Sequence, residues 1–309
     1  MAAASGFGLL GVLSRFSYDA GLQPLPFVAW RAAFGLVVIA VVVMARRQIG
    51  IRVADPRQLA RRDGIGLLVC AVTALGLNVA MFFAFDLAAV AIVLLAFYTY
   101  PALVALVAVT LGHERLDALG WSALALSLGG MVLVVAGGLD TSGAAGATRI
   151  HPLGVALGLA AAACQTVFVT VSRGRFRALP SEQAMGWIFL VTMFAAGSAS
   201  VVTGAGLTAA FASPRVLGLV LATGVVTAGI PSILFLAGIR AIGGTRAGIL
   251  MLIEPLVGVT LAAVLLGETL HPGQAIGGIA ILVAALLLQR SAPATEAIEP
   301  AGVAAVERT

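Results

Sequence analysis

The sequence predicts an all-α integral membrane protein with ten transmembrane helices. They form a 5+5 inverted repeat with both termini cytoplasmic. Three observations carry this expectation. Hydrophobic residues make up 61% of the chain and charged residues 10%, and the mean hydropathy is +1.10. A soluble domain is about half apolar and a quarter charged, so one aqueous core cannot hide this much apolar surface. The chain also repeats itself. Residues 93–116 read VLLAFYTYPALVALVAVTLGHERL and residues 247–270 read AGILMLIEPLVGVTLAAVLLGETL. In each copy a proline (Pro101, Pro255) precedes a closing glutamate (Glu114, Glu268) by 13 positions, and the copies lie 154 residues apart in a chain of 309. That offset is half the chain, the mark of a duplication. The third observation is the placement of the arginines, which sets orientation.

A spanning helix needs about 20 mostly apolar residues. The first candidate span covers residues 3–22 and carries Arg15 and Asp19 in its second half; it begins almost at residue 1, which leaves the true start of the chain open. The second covers 26–45 and holds Arg31, and an arginine-rich link follows at 46–63. The third runs 64–85, Asp86 marks a turn, and the fourth runs 88–111. The fifth is 118–136, and a polar Gly/Ser/Thr linker follows. The second half repeats the plan with spans at 152–172, 184–204, 216–238 (interrupted by Pro231), 247–270 and 273–288. The division is therefore 1–137 for the first five-helix repeat, 138–151 for the linker, 152–290 for the second repeat and 291–309 for an Ala/Pro/Glu tail without a helical stripe, read as disordered and cytoplasmic. No cleavable leader is read at the N-terminus, which lacks a basic leading segment.

Lysine is absent, and all 18 basic residues are arginine. With a cytoplasmic N-terminus, the cytoplasmic links and tail carry 14 arginines and the opposite side carries Arg149 and Arg215. Such a split is a positive-inside signal. It also explains the net charge of +5 by topology, so no nucleic-acid partner is implied. Five is an odd number, so the second half enters the membrane upside down relative to the first. Asp86 and Arg240 share one position at the 154-residue offset, and their opposite signs suit one structural place used on opposite sides. The expected location is a bacterial inner cell membrane, as a multi-pass protein.

Two five-span halves, each with a fourth helix holding a mid-helix proline and ending in (G)xE-x-L (GHERL and LGETL), resemble the paired EamA domains of the drug/metabolite transporter (DMT) superfamily. The strings are FDLAAVAIVLLAFYTYPALVALVAVTLGHERL and IRAIGGTRAGILMLIEPLVGVTLAAVLLGETL. Arg31 in FVAWRAAFG is also similar to the family pattern. The resemblance spans residues 3–290. It implies a ten-helix secondary permease, gradient-driven and often an exporter of amino acids or other small metabolites, with a cavity between the halves.

Alternating access needs a polar site near the midplane, and ionisable groups inside spans are costly enough to be functional by default. Glu254 lies about 10 Å from the cytoplasmic end of its span at 1.5 Å per residue. Pro255 removes a backbone donor beside it. A carboxylate shielded from water is suited to take up and release a proton during a cycle, so protons are the candidate coupling ion. The competing reading is a structural carboxylate paired with an arginine or with opened backbone. The counterpart of Glu254 in the first half is Tyr100, so the fold does not demand the carboxylate.

Arg31 is a candidate to hold a substrate carboxylate bidentately, although a structural lock between helices is the favoured role. Tyr98, Tyr100, Trp30, Asn78 and Gln165 can present polar groups to a cavity, or simply bond a neighbouring helix. Pro101, Pro255 and Pro231 are candidates for broken helices and gating. Glu114 and Glu268 belong to the repeat motif and have structural duties as caps or ion-pair partners. The pairs Gly154/Gly158 and Gly273/Gly277 permit close helix contact, inside the bundle or at a homodimer face.

Other classes are weaker. Cys70 and Cys164 lie within apolar runs and act as small hydrophobes, so neither a disulfide nor a metal site is expected. HExxH, GxSxG and paired intramembrane aspartates are lacking, and His113, His151 and His271 fall at span ends. A membrane-embedded enzyme is therefore disfavoured, and no cofactor is implied. No P-loop is present, so transport is expected to be driven by a gradient or simply to equilibrate the substrate. A small-multidrug-type antiporter is expected to hold a glutamate in its first helix, and spans one and six have none. A non-transporting membrane scaffold or sensor is the remaining alternative to a transporter of a small molecule.

Cysteines introduced at Gly143 and Ser181 are expected to react with impermeant thiol reagents from opposite sides of the membrane. Labelling of both from one side contradicts the inverted repeat.

Overall fold

The computed structural model describes residues 1–48, 59–88, 90–113, 116–136, 151–266 and 272–290. The helices are α1 (Ala2–Gly8), α2 (Leu10–Asp19), α3 (Pro24–Gln48), α4 (Arg61–Leu87), α5 (Val90–Phe97), α6 (Tyr100–Thr110) and α7 (Ala118–Ala136). They continue with α8 (Pro152–Gly174), α9 (Ser181–Val202), α10 (Pro214–Gly224), α11 (Ile230–Ile242), α12 (Gly244–Met251), α13 (Ile253–Leu266) and α14 (Pro272–Arg290). A 3-10 turn covers Leu207–Phe211 and a π-helical turn covers Val225–Gly229. Among the described residues seven helical stretches are long and apolar enough to cross a membrane. The first and ninth predicted spans are each two short helices in series, and the tenth corresponds to α14.

Outward faces carry large apolar side chains where a soluble protein carries charge. Val37, Leu68, Leu106, Phe194, Val202, Ile276 and Leu286 are all more than half exposed. Such a surface fits hydrocarbon, and one aqueous core has no use for it.

Three prolines shape the bundle. Pro101 stands second in α6, after the Tyr98–Thr99 turn. There the Thr99 amide bonds back only three residues, to Ala96. Pro255 stands near the start of α13, after a turn at Leu252 whose amide likewise reaches only Ile249. Pro231 follows the π-helical turn. A proline supplies no amide hydrogen to the carbonyl four residues before it, so the helix tightens or widens at that point. Asp86, expected in a turn, is instead helical, because α4 continues to Leu87. Buried Phe82 and the half-buried Phe85 that packs beside it keep that last turn in the bundle. Glu114 and Glu268, the 137–150 link with Gly143, His271 and the 291–309 tail lie outside the described residues.

Close contacts give the sense of each helix pairing. Along α3 and α9, Arg46 meets Glu182, Ile39 lies beside Gly186 and Gly35 lies beside Phe189. Numbers fall on one helix as they rise on the other, so the two are antiparallel. Along α4 and α8, Gly66 lies beside Arg175, Cys70 beside Phe168, Gly76 beside Cys164 and Ala88 beside Gly154, again antiparallel. Along α6 and α12, Val104 lies beside Gly244 and Pro101 beside Gly248. Along α7 and α14, Leu133 lies beside Gly273 and Gly130 beside Gly277 and Ile281. At the 154-residue offset α5 matches α12 and α6 matches α13, whereas α3 and α9, and α7 and α14, are counterparts that touch one another. Both touching pairs run antiparallel, the relation an inverted repeat requires.

Both GxxxG pairs serve the bundle interior. Gly154 and Gly158 face Ala88, Val93 and Ala96. A Cβ at Gly277 would overlap the Gly130 carbonyl oxygen, and one at Gly130 would lie 2.7 Å from the Gly277 carbonyl oxygen. The two backbones touch here, which only glycine permits on both sides.

Gly277→Val is expected to destabilise the protein by about 1–3 kcal/mol through overpacking. The outward-facing Ile276→Val is expected to be near neutral. Thermal unfolding in detergent measures both; equal stability of the two variants contradicts the close α7–α14 crossing.

Candidate functional site

The broken helices α5/α6 and α12/α13 meet where α6 crosses α12. A Cβ at Gly248 would sit 3.4 Å from the Pro101 side chain and 3.6 Å from the Tyr100 ring. Glu254, one residue before Pro255, opens α13 at this level. The Tyr98 hydroxyl donates a hydrogen bond to the Glu254 carboxylate, and Tyr100 interacts with the same carboxylate electrostatically. Residues two apart on a regular helix point to different sides. The turn at Tyr98–Thr99 turns both phenols toward one carboxylate. Phe97 packs between them, with ring centroids 5.3 Å from Tyr98 and 5.2 Å from Tyr100.

Arg31, on α3, completes the electrostatics. It is buried, and it interacts with Glu254 and Tyr18 across the bundle. Its Nη1 donates to the Asn78 side-chain oxygen at 3.0 Å and its Nη2 donates to the Thr227 carbonyl at 3.0 Å. Asn78 is itself oriented by a 2.7 Å bond from its amide nitrogen to the Ala74 carbonyl. Tyr98 and Tyr100 are each 1% exposed, whereas Glu254 and Asn78 are half-buried. Chemically, the cluster offers one carboxylate, one guanidinium, an amide and two phenols, contributed by both halves. Such a set can hold a small polar molecule and exchange a proton at a carboxylate.

Two sequence candidates stand apart. The Trp30 indole N–H donates to the Leu207 carbonyl at 2.8 Å, and its ring meets Phe211 edge-on at 4.8 Å. Its polar group therefore anchors the 3-10 turn. Gln165 is half-buried on α8 and forms no hydrogen bond among the described residues. Pro231 touches the site through its neighbour, the π-helical turn holding Thr227. The cysteines are free, and no cluster of metal-ligating residues occurs among the described residues.

Sequence reasoning missed Thr227 because a carbonyl has no residue signature. The available signal was Pro231, four residues on, which cannot serve that carbonyl. It also missed a polar latch at the opposite end of the bundle from Trp30. Arg240 Nη1 donates to the Leu179 carbonyl at 2.7 Å and to Ser181 Oγ at 3.3 Å, and its Nη2 donates to the Phe176 carbonyl at 3.2 Å. The guanidinium also lies 5.2 Å from the Phe176 ring centre. Phe176 takes the left-handed backbone region at φ 42°, and its amide is held by Asp63 at 3.1 Å. Arg46 and Glu182 pair at 2.6 Å beside it. Arg240 therefore fastens the α8–α9 link, beyond any part its charge plays in topology. At the other end Tyr18, Phe27 and Phe82 pack edge to face, with centroids 5.1–6.4 Å apart.

The EamA-like transporter family matches the chain twice, over residues 1–136 and over residues 152–290. No curated protein matches it. A solved structure titled only "Crystal structure of protein" is similar at 20% identity, covering 93% of this chain and 94% of that one with a TM-score of 0.74. At that identity the likeness shows a shared fold.

Arg240→Gln is expected to cost about 1–3 kcal/mol, because three acceptors lose a charged donor. Thermal unfolding and limited proteolysis of the 175–180 link measure it. Unchanged stability together with an intact link contradicts the latch.

Proposed function

Since the chain belongs to the EamA-like transporter family, we propose that it is a secondary transporter that exports a small polar metabolite, such as an amino acid, by alternating access. The family name and the apolar helices make it a multi-pass membrane protein of a transporter family rather than an enzyme family. Our reading goes further in four respects. The ten spans cross the membrane as an inverted repeat, 1–137 and 152–290, with the linker between them and the 291–309 tail. Both termini are cytoplasmic. The membrane is a bacterial inner membrane. The driving force is a gradient, with protons coupled through Glu254.

One observation carries the site. Glu254 and Tyr98 lie beside the two proline breaks, one from each half, and bond to each other. A group shared between halves that move against one another feels the conformational change directly. When the carboxylate gains a proton it loses its charge, and its attraction to Arg31 falls. When it loses the proton, Tyr98 and Arg31 stabilise the anion. The two charge states therefore favour different arrangements of the breaks, which is what coupling requires. Arg31 and Asn78 face the same space from the first half and suit the carboxylate or amide of a polar cargo.

Amino-acid export is followed in cells expressing the wild type and Glu254→Gln over a range of external pH. The expected result is a fall on the order of tenfold, with the remaining flux indifferent to pH. Undiminished, still pH-dependent export removes Glu254 from coupling. Absence of export for every metabolite screened, by the wild type in cells and in proteoliposomes, removes the transport reading itself.

A further inference from the structure

We infer that Arg31 is a positioning residue that holds the Pro231 hinge of α10–α11 in its π-helical form, and that the hinge moves when Arg31 releases the Thr227 carbonyl. The latch stands on geometry alone; only its link to transport rests on the reading above.

In a regular helix the amide of residue 231 serves the carbonyl of residue 227. Residue 231 is proline, so that donor does not exist. The helix widens over Val225–Gly229, and the Arg31 Nη2 donates to the Thr227 carbonyl at 3.0 Å in the missing amide's place. The Thr227 hydroxyl is already engaged, donating to the Thr223 carbonyl at 2.8 Å. Both Thr227 and Arg31 are buried, so water is a poor substitute for either partner. The same guanidinium holds Asn78 on α4. One side chain therefore ties α3, α4 and the widened turn together.

The surroundings suit a hinge. Helix α3 and the 224–229 segment approach through glycine. A Cβ at Gly224 would overlap Phe34 and lie 3.1 Å from the Arg31 carbonyl oxygen; one at Gly229 would lie 3.1 Å from the Gly35 carbonyl oxygen. Gly6 of α1 faces the Pro231 ring itself, with no room for a Cβ. These contacts are smooth and non-directional, so they permit sliding. The Arg31–Thr227 bond is directional and holds one register. The Arg31 Nε is buried without a partner, which leaves the fork able to turn toward another acceptor. Movement of Nη2 away from Thr227 orphans that carbonyl, and the turn must then rearrange to find a donor. In this way an event at Arg31 reaches the backbone of the eighth span.

The test is a double-mutant cycle on the full-length protein in detergent, with wild type, Arg31→Gln, Pro231→Ala and the double variant. Pro231→Ala restores an amide for Thr227, so Arg31 loses this duty. The packing lost with the ring is common to both alanine variants and cancels. We expect Arg31→Gln to lower Tm by about 5 °C in the wild-type background and by less than half as much in Pro231→Ala. Arg31→Lys keeps the charge but lacks the planar fork that reaches Asn78 and Thr227 from two separate nitrogens, so it is expected to behave as Arg31→Gln. An equal loss in both backgrounds overturns the latch, as does full rescue by lysine. Export by Pro231→Ala per folded protein, measured on a metabolite that the wild type exports, is expected to fall on the order of tenfold; wild-type export by this variant overturns the hinge. If the wild type exports nothing, the stability cycle still decides the latch and the transport reading fails separately.

Discussion

A backbone carbonyl in a hydrocarbon environment must find a donor inside the protein. This constraint governs the rest of the structure. Long apolar helices satisfy it residue by residue. Pro101, Pro231 and Pro255 each violate it once, and the architecture is arranged around the violations. The first and third give short helices in series that meet at Pro101 and Gly248. The second gives a π-helical turn whose Thr227 carbonyl is served by Arg31. Buried hydroxyls such as Thr166 and Thr192 donate to carbonyls of their own helix, whereas Glu254, Tyr98 and Arg31 interact where the helical ladder is interrupted.

The duplication supplies two copies of one broken helix, and divergence gave them different contents. Tyr100 and Glu254 occupy the same place in the repeat, and the structure brings them into one cluster with Tyr98 donating to the carboxylate. The ends of the bundle diverged as well. Arg240, Asp63, Arg46 and Glu182 fasten one end with charged hydrogen bonds. Tyr18, Phe27, Phe82, Trp30 and Phe211 close the other with aromatic edges and one indole bond. Charged closures are strong and directional, whereas aromatic closures are adaptable. The repeated scaffold thus has chemically unlike ends.

Much of the fold was legible in the residues. Apolar run length marked the helices to within a few positions, since hydrocarbon thickness sets a length. The 154-residue offset between Pro101 and Pro255 exposed the duplication, and the glycine contacts show its counterparts antiparallel. Glu254 and Arg31 stood out because charges inside apolar runs are rare. Less was legible in the site. Trp30 had the composition of a cavity residue, yet it bonds Leu207. Arg240 had the look of a topology charge, yet it holds the α8–α9 link. Asp86 looked like turn punctuation, yet α4 runs through it. In each case residue type alone does not give the neighbour that the side chain or the backbone meets.

The sequence by itself determined that the chain lives in a bilayer, that it is two copies of one unit, and that three of its helices break at prolines. Those properties follow from hydropathy, repetition and the missing amide of proline, all of which are local. Only the tertiary structure decided that Tyr98 reaches Glu254, that Arg31 serves a carbonyl 196 residues away, and that Gly130 and Gly277 touch. The reason is rotational. Helices that are apolar on every side do not reveal in sequence which face turns inward, so the partners across the bundle become definite only when the helices have packed.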